Sequence, residues 1–300
     1  MNDDYRLPPY WYSTRIMEIP QFDWSFESIG VQDAWKTSRG RDIRVAVLDT
    51  GVDLDHPDLF GQIELSRDFT GEGVNDQNGH GTWCAGCVAG KTLGRAPESK
   101  LLIAKVLNKR GSGSTRAIAD GILWASGQGA HVISMSLAGG PDPNIHAAIK
   151  EAVASDCIVV CAAGNSGPGF TEYPAAYDEC VSVGAFDRAT RLAGFSSQNK
   201  QVDVAAPGVN VLSIAMGGGV TRMTGTSMAC PQVAACAALV QGARRAANEP
   251  LLDALQFRGL IRNNSIDAGP PDFDTGFGWG IVAPEFLISA GDPLPKGWTK

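Results

Sequence analysis

The chain has 300 residues, 44% of them hydrophobic, with 25 Lys and Arg against 32 Asp and Glu for a formal net charge of −7. That length and apolar fraction support one sizeable buried core, and an acidic balance with no basic run longer than Lys109-Arg110 or Arg244-Arg245 argues against nucleic acid as a partner. No stretch reaches the roughly 20 consecutive apolar residues of a membrane span, and the polar start Met-Asn-Asp-Asp-Tyr reads as the absence of a secretory signal.

In chain order, residues 1–25 read as an N-terminal extension. Its run Arg6-Leu7-Pro8-Pro9-Tyr10-Trp11-Tyr12 is proline-rich and aromatic, hence extended. Residues 26–300 show no repeat and no low-complexity linker and read as one domain. Near-continuous apolar runs at Ile43–Leu48, Leu101–Leu107, Val132–Leu137, Ile158–Ala162 and Val181–Ala185 suit strands buried on both faces. Between them, Thr115–Gly127 and Asn144–Ala154 carry apolar residues at helical spacing. The alternation predicts an α/β fold, a doubly wound and mostly parallel sheet with helices on both faces. Its site then lies at the carboxyl ends of the strands. The last long segment, Ser227–Ala247, is rich in Ala, Leu, Val and Cys and follows a glycine-rich turn, Gly217–Gly219. It predicts a helix through the core, with Pro231 in its first turn, where a missing N–H costs little.

Three short runs carry chemistry: Val45 to Gly51 (Val-Ala-Val-Leu-Asp-Thr-Gly), Asn78 to Thr82 (Asn-Gly-His-Gly-Thr) and Gly225 to Ala229 (Gly-Thr-Ser-Met-Ala). A serine hydroxyl is a poor nucleophile near neutral pH. It needs an imidazole to take its proton and a carboxylate to fix that imidazole; Ser227, His80 and Asp49 are the candidates. Singly each run is weak. Asp-Thr-Gly also supplies half of a carboxylate dyad in aspartic proteases, which require a second such run that this chain lacks; Gly-Thr-Ser is also a helix cap. Asn165 follows the apolar strand Ile158–Ala162. Its amide is either a donor to the oxyanion of acyl transfer or a turn residue, which Asn-Ser-Gly suits. The N–H of Ser227, at a helix start, is the second oxyanion donor. The seven cysteines, an odd number, sit mostly in apolar segments (Cys157, Cys161, Cys180, Cys230, Cys236) and read as buried free thiols of a reducing compartment. Cys84-Ala-Gly-Cys87 has no second cysteine pair, so it reads as the packed face of a helix beginning just after His80 rather than as a zinc or redox motif.

The order Asp, His, Ser is one of the known chain orders of this triad. Further landmarks are His56-Pro57-Asp58-Leu59, Gly111-Ser112-Gly113, Ser136 to Gly140, Ala206-Pro207-Gly208 and Gly278 to Val282. On these residues the chain, from about Val31 to Phe286, resembles the subtilisin-like serine peptidases, or subtilases, and most of all their intracellular branch.

The resemblance implies a serine endopeptidase with Asp49, His80 and Ser227 as triad and Asn165 in the oxyanion hole. Substrate is implied to pair between Gly111, Ser112, Gly113 on one side and Ser136, Leu137, Ala138 on the other, a β-augmentation mode. Ala163, Gly164 and Glu172 fall at the primary specificity pocket. Glu172 at its base either selects Lys or Arg, or is solvated or paired with Arg188 or Arg191. A catalytically silent binding domain and a peptide ligase are the alternatives. The implied partners are polypeptide substrates, a second copy in a homodimer, and the chain's own N-terminal extension as inhibitor, the other reading of that extension being a plain surface strap. The implied location is cytoplasmic, the alternative being the mature part of a secreted protease. No cofactor is needed for the chemistry. Calcium is at most structural: Asp58 survives, but Val88 to Pro97 is too short and has no Asp or Asn for the usual high-affinity loop. A weaker calcium site would use Asp203 with the carbonyls of Ala175 and Tyr177. Trp83 and Cys84 replace the family's usual residues after the catalytic histidine, which predicts repacking, with Cys84 beneath His80.

Overall fold

The computed structural model describes residues 4–12 and 23–290. Seven parallel strands form the main sheet: β1 (Arg44–Asp49), β2 (Ile63–Asp68), β3 (Lys100–Lys105), β4 (Val132–Met135), β5 (Ile158–Ala162), β6 (Cys180–Phe186) and β7 (Val202–Pro207). Their spatial order is β7-β6-β5-β4-β1-β3-β2. The chain leaves β1 toward one edge and returns to its other side at β4. The crevice beyond the carboxyl ends of β1 and β4 is thus the switch point where α/β sheets of this type bind ligands.

Strand periodicity explains the two-sided core. Val45 and Val47 of β1 join the apolar cluster on one face, and Ala46 and Leu48 join the cluster on the other. Helices α1 (His80–Ala89) and α4 (Thr226–Ala246) cover the first face, and α2 (Thr115–Gly127) and α3 (Pro143–Ala154) the second. Helix α4 is buried from Thr226 to Gly242 without a polar face, as a helix through the core must be. Helix α1 starts at His80 itself rather than after it.

Pro231 is the sixth residue of α4, which begins at Thr226, and so lies in its second turn rather than its first. A proline there removes the N–H that would bond the carbonyl four residues back, that of Ser227. The freed carbonyl accepts the Ser136 hydroxyl at 3.0 Å and the Cys84 thiol at 3.8 Å.

At the start of the second described stretch a helix spans Trp24–Ser28, and the buried Asp23 carboxylate accepts from Ser25, the Leu212 N–H and Arg222. Ahead of it, the nine described residues 4–12 cross the carboxyl-end face. Asp4–Arg6 pairs antiparallel with Ser112–Ser114, and Trp11–Tyr12 pairs with Met223 and Thr224 of the hairpin Val211–Ile214/Val220–Thr224. No helix among the described residues is long and apolar enough to cross a membrane.

Candidate active site

Asp49 ends β1, and His80 opens α1. The two elements meet backbone to backbone at Gly81, where an added Cβ would stand 2.2 Å from the Gly51 carbonyl oxygen. Only a residue without a side chain permits that approach. Across it, His80 Nδ1 lies 2.8 and 3.0 Å from the two Asp49 carboxylate oxygens, both residues being buried. A carboxylate on Nδ1 fixes the tautomer that leaves Nε2 free to take a proton. His80 Nε2 has no hydrogen-bond partner among the described residues.

Ser227 is the second residue of α4, presented by the turn at Gly225. Its Oγ donates to the Ser136 carbonyl at 3.3 Å rather than to His80. Cys84 lies where the sequence put it: its thiol is 3.8 Å from His80 Nδ1 and 3.8 Å from the Ser227 carbonyl, so base and nucleophile share one neighbour. Burial, with the Asp49 charge acting the same way, pushes the Cys84 thiol up well above the ordinary thiol range, and burial pushes Cys87 up to about 11. Both are packed neutral thiols. Among the described residues one group of three metal-type donors lies together, Asp49, His80 and Cys84, within 4.8 Å of one another. Two of these are already hydrogen-bonded to each other, and the third is a neutral thiol.

Asn165 is held end-on. Its side-chain oxygen accepts the Thr226 N–H at 2.9 Å and the Thr226 hydroxyl at 2.8 Å, which turns its NH₂ toward the crevice. There it donates to the carbonyl oxygen of Pro9 at 2.6 Å. Thr226 also accepts from the Gly164 N–H at 3.2 Å, so one hydroxyl holds both Asn165 and Gly164. Thr226 and its role were missed in the sequence, although it stands inside the Gly-Thr-Ser run.

The two segments expected to pair with substrate are paired with the chain's own first residues. Tyr5 stands opposite Gly113 and Arg6 opposite Ser112, while the Leu7 N–H donates to Gly111 at 2.9 Å. On the other side Arg6 and Ala138 exchange both backbone hydrogen bonds, at 3.0 and 2.9 Å. The Tyr5 ring is buried against Gly139, where a Cβ would come within 3.0 Å of it, and its hydroxyl donates to the Gly140 carbonyl at 2.5 Å. Leu137 is fully buried beneath this strand. The antiparallel ladder would next pair Pro8 with Ser136, but proline has no N–H to give; the Ser136 carbonyl takes the Ser227 hydroxyl instead. Farther on, the Tyr10 ring sits 4.9 Å from His80 and its hydroxyl donates to Asn78 at 2.9 Å; Trp11 packs on Phe195 at 5.4 Å.

Beside Asn165, Gly164 has φ +105°, and a Cβ there would fall 1.2 Å from a Glu172 carboxylate oxygen. Position 164 therefore needs glycine both for its backbone and for the room it leaves. The carboxylate is oriented by two hydroxyls, Ser166 at 2.9 Å and Ser197 at 3.0 Å. Arg191 is paired with Asp187. Ala163, beyond β5, is buried with its N–H on Val183.

The calcium expectations meet residues that do not fit the ion, which wants six to eight oxygen ligands. One Asp58 oxygen accepts both the N–H and the hydroxyl of Thr92, and its backbone carbonyl takes Lys91, which leaves one buried carboxylate oxygen without a hydrogen-bond partner among the described residues. At Asp203, one oxygen takes Arg258 Nη2 and Nε at 2.7 and 3.0 Å and the other the Ser182 N–H. The Tyr177 carbonyl accepts from Cys180. Burial pushes the Asp203 carboxyl up and the Arg258 guanidinium pulls it back, so the positive charge this carboxylate needs comes from the protein.

Residues 40–280 match the model of the subtilase family. The chain is 42% identical over 286 residues to the intracellular serine protease of Paenibacillus polymyxa, covering 90% of this chain and 88% of that one. It is 43% identical over 260 residues to the major intracellular serine protease of Bacillus subtilis strain 168, with 80% and 82% covered. To subtilisin Savinase of Lederbergia lenta it is 40% identical over 255 residues, with 82% and 90% covered. With a match across the whole crevice-bearing sheet and relatives aligned over most of both chains, this protein belongs to the subtilase family of serine endopeptidases.

Proposed function

We propose that the chain hydrolyses peptide bonds through an acyl-enzyme on Ser227 and is held back by its own first residues. His80 takes the proton of Ser227 as its oxygen attacks a peptide carbonyl and gives that proton to the leaving amine; water then resolves the ester by the same route in reverse. Asp49 holds His80 and stabilises its cation. The Asn165 amide and the Ser227 N–H receive the negative charge that develops on the attacked carbonyl.

The observation that carries this reading is the Pro9 carbonyl, 2.6 Å from Asn165 Nδ2 beside the buried Asp49–His80 pair. A peptide carbonyl already sits on the donor that an oxyanion would use. The same contact supports the restraint. Residues 4–7 occupy both substrate strands, Tyr10 covers His80, and Pro8 withholds the N–H whose absence leaves Ser136 to take the nucleophile's hydroxyl. The extension binds like a substrate with its nucleophile turned aside. An intracellular location is supported by the buried free thiols and by the relatives named intracellular serine proteases.

A fluorophosphonate probe tests both halves. Ser227 should be the labelled residue, with no labelling and no peptide hydrolysis in Ser227→Ala. Labelling of the full chain should be slower than that of a chain beginning near Ile19. Equal rates would leave the extension a surface strap, and labelling that survives Ser227→Ala would sink the triad.

A further inference from the structure

Asp76 is a buried carboxylate that the mechanism above does not use, in the loop that leads into α1. It accepts five hydrogen bonds. Oδ1 takes the Thr50 hydroxyl at 2.9 Å and the N–H groups of Asn78 and Gly79 at 2.9 and 3.0 Å. Oδ2 takes the N–H and hydroxyl of Thr82 at 2.9 and 2.7 Å. Thr50 is the neighbour of Asp49, and Gly79 and Thr82 flank His80. One side chain therefore grips the end of the strand that carries the acid and both sides of the residue that is the base.

The arrangement goes beyond an ordinary cap. Helix α1 has glycine at its N-cap and no side-chain cap of its own. The N–H of Thr82, one of the orphan donors of its first turn, is satisfied by Asp76 from outside the helix, and that of Gly81 by the Thr50 hydroxyl at 2.9 Å. Asp76 is itself fixed: its N–H donates to Val52, and the carbonyl before it, of Asn75, accepts the fully buried Lys105 ammonium at 3.0 Å, with Glu72 3.9 Å beyond. Lys105 stands opposite Asp49 in the β1–β3 register.

We infer that Asp76 is a positioning residue for the Asp49–His80 pair, holding the imidazole in register with Ser227. The inference rests on the triad reading above. The groups facing His80 are Asp49 from β1, Cys84 from its own helix and Tyr10 from the extension, with Lys105 and Glu72 behind Asp76. Replacing Asp76 by asparagine keeps the shape but turns one acceptor into a donor facing other donors.

The test uses the full chain, with rates expressed per fluorophosphonate-labelled Ser227. Asp76→Asn should lower kcat by about 10- to 100-fold, the scale of a slightly misplaced catalytic group, with KM unchanged. Should that variant fail to fold, Thr50→Val cuts one of the two ties and should lower kcat by a smaller factor, again at constant KM. A kcat per labelled site within twofold of the parent's, or equal changes in kcat and KM, overturns the inference. A parent that Ser227→Ala leaves labelled sinks the triad reading instead and is told apart by that.

Discussion

At the scale of single residues, the roles separate by what each substitution should cost. Ser227→Ala should abolish amide hydrolysis while thermal unfolding stays near the parent's, since it removes one oxygen at a helix start. Asn165→Ala should cut kcat about 100-fold, the size of effect known for this kind of donor in subtilisin, with KM little changed; equal losses in KM and kcat would take it out of the oxyanion hole. The carboxylate of Glu172, held by Ser166 and Ser197 against Gly164, should favour a Lys or Arg side chain at the residue whose carbonyl is attacked. Measured kcat/KM for peptides with Lys, Leu or Glu at that position should rank Lys first, and Glu172→Gln should erase the advantage. Leu ahead of Lys in both enzymes would refute the acidic pocket. Asp49, His80 and Ser227 were legible because each sits in a short run with few other uses. Thr226 and Ser197 were not: a threonine and a serine acting through hydrogen bonds 61 and 25 residues away leave no local pattern, and the tie of Asp76 to β1 runs through Thr50, 26 residues back.

At the scale of elements, β1, β3, β4, β5 and β6 were legible as apolar runs because both of their faces are covered. The edge strand β2, Ile63–Asp68, was not, since its side chains are largely exposed and polar. Nor was β7, whose run is interrupted by the buried, ion-paired Asp203. The extension read as an extended segment, but its register depends on long-range pairing that composition does not encode. That register predicts two behaviours. Pro8→Ala restores the N–H that would bond Ser136, so the variant's extension should be cut faster by its own enzyme, followed as loss of the N-terminal fragment on mass spectrometry; an unchanged rate would remove proline's part in the restraint. The phenol of Tyr5 is pushed well above its ordinary value of 10.0 by burial, with Tyr177 and Asp142 acting the same way. A phenol held neutral when docked stabilises docking fully below the free value, and that contribution falls as pH rises beyond it. Labelling of the full chain should therefore accelerate above about pH 10 relative to a Tyr5→Phe chain, which has nothing to ionise.

At the scale of the molecule, internal charges and packed thiols carry what ions and crosslinks carry elsewhere. Arg258→Met leaves the buried Asp203 carboxylate without its cation and should cost about 2–4 kcal/mol of unfolding free energy near pH 8. The deficit should shrink as pH falls, because that carboxyl's affinity for a proton is already raised by burial and rises further without the guanidinium; a deficit constant with pH would mean that lost packing explains it. Because Asp58 is bonded to Thr92 and Asp203 to Arg258, a chelator should leave the thermal midpoint in place, and a large drop would show a bound ion. All seven cysteines are free and buried, so a thiol reagent should find none quickly in the native protein and seven after denaturation. The close contact at Gly81 has a consequence of its own. Because main chain meets main chain there, the spacing of Asp49 and His80 is set by a seam that contains no side chain. Residues lining the crevice can then be exchanged without that pair being re-spaced; what cannot be traded away is the empty place where a methyl group would go.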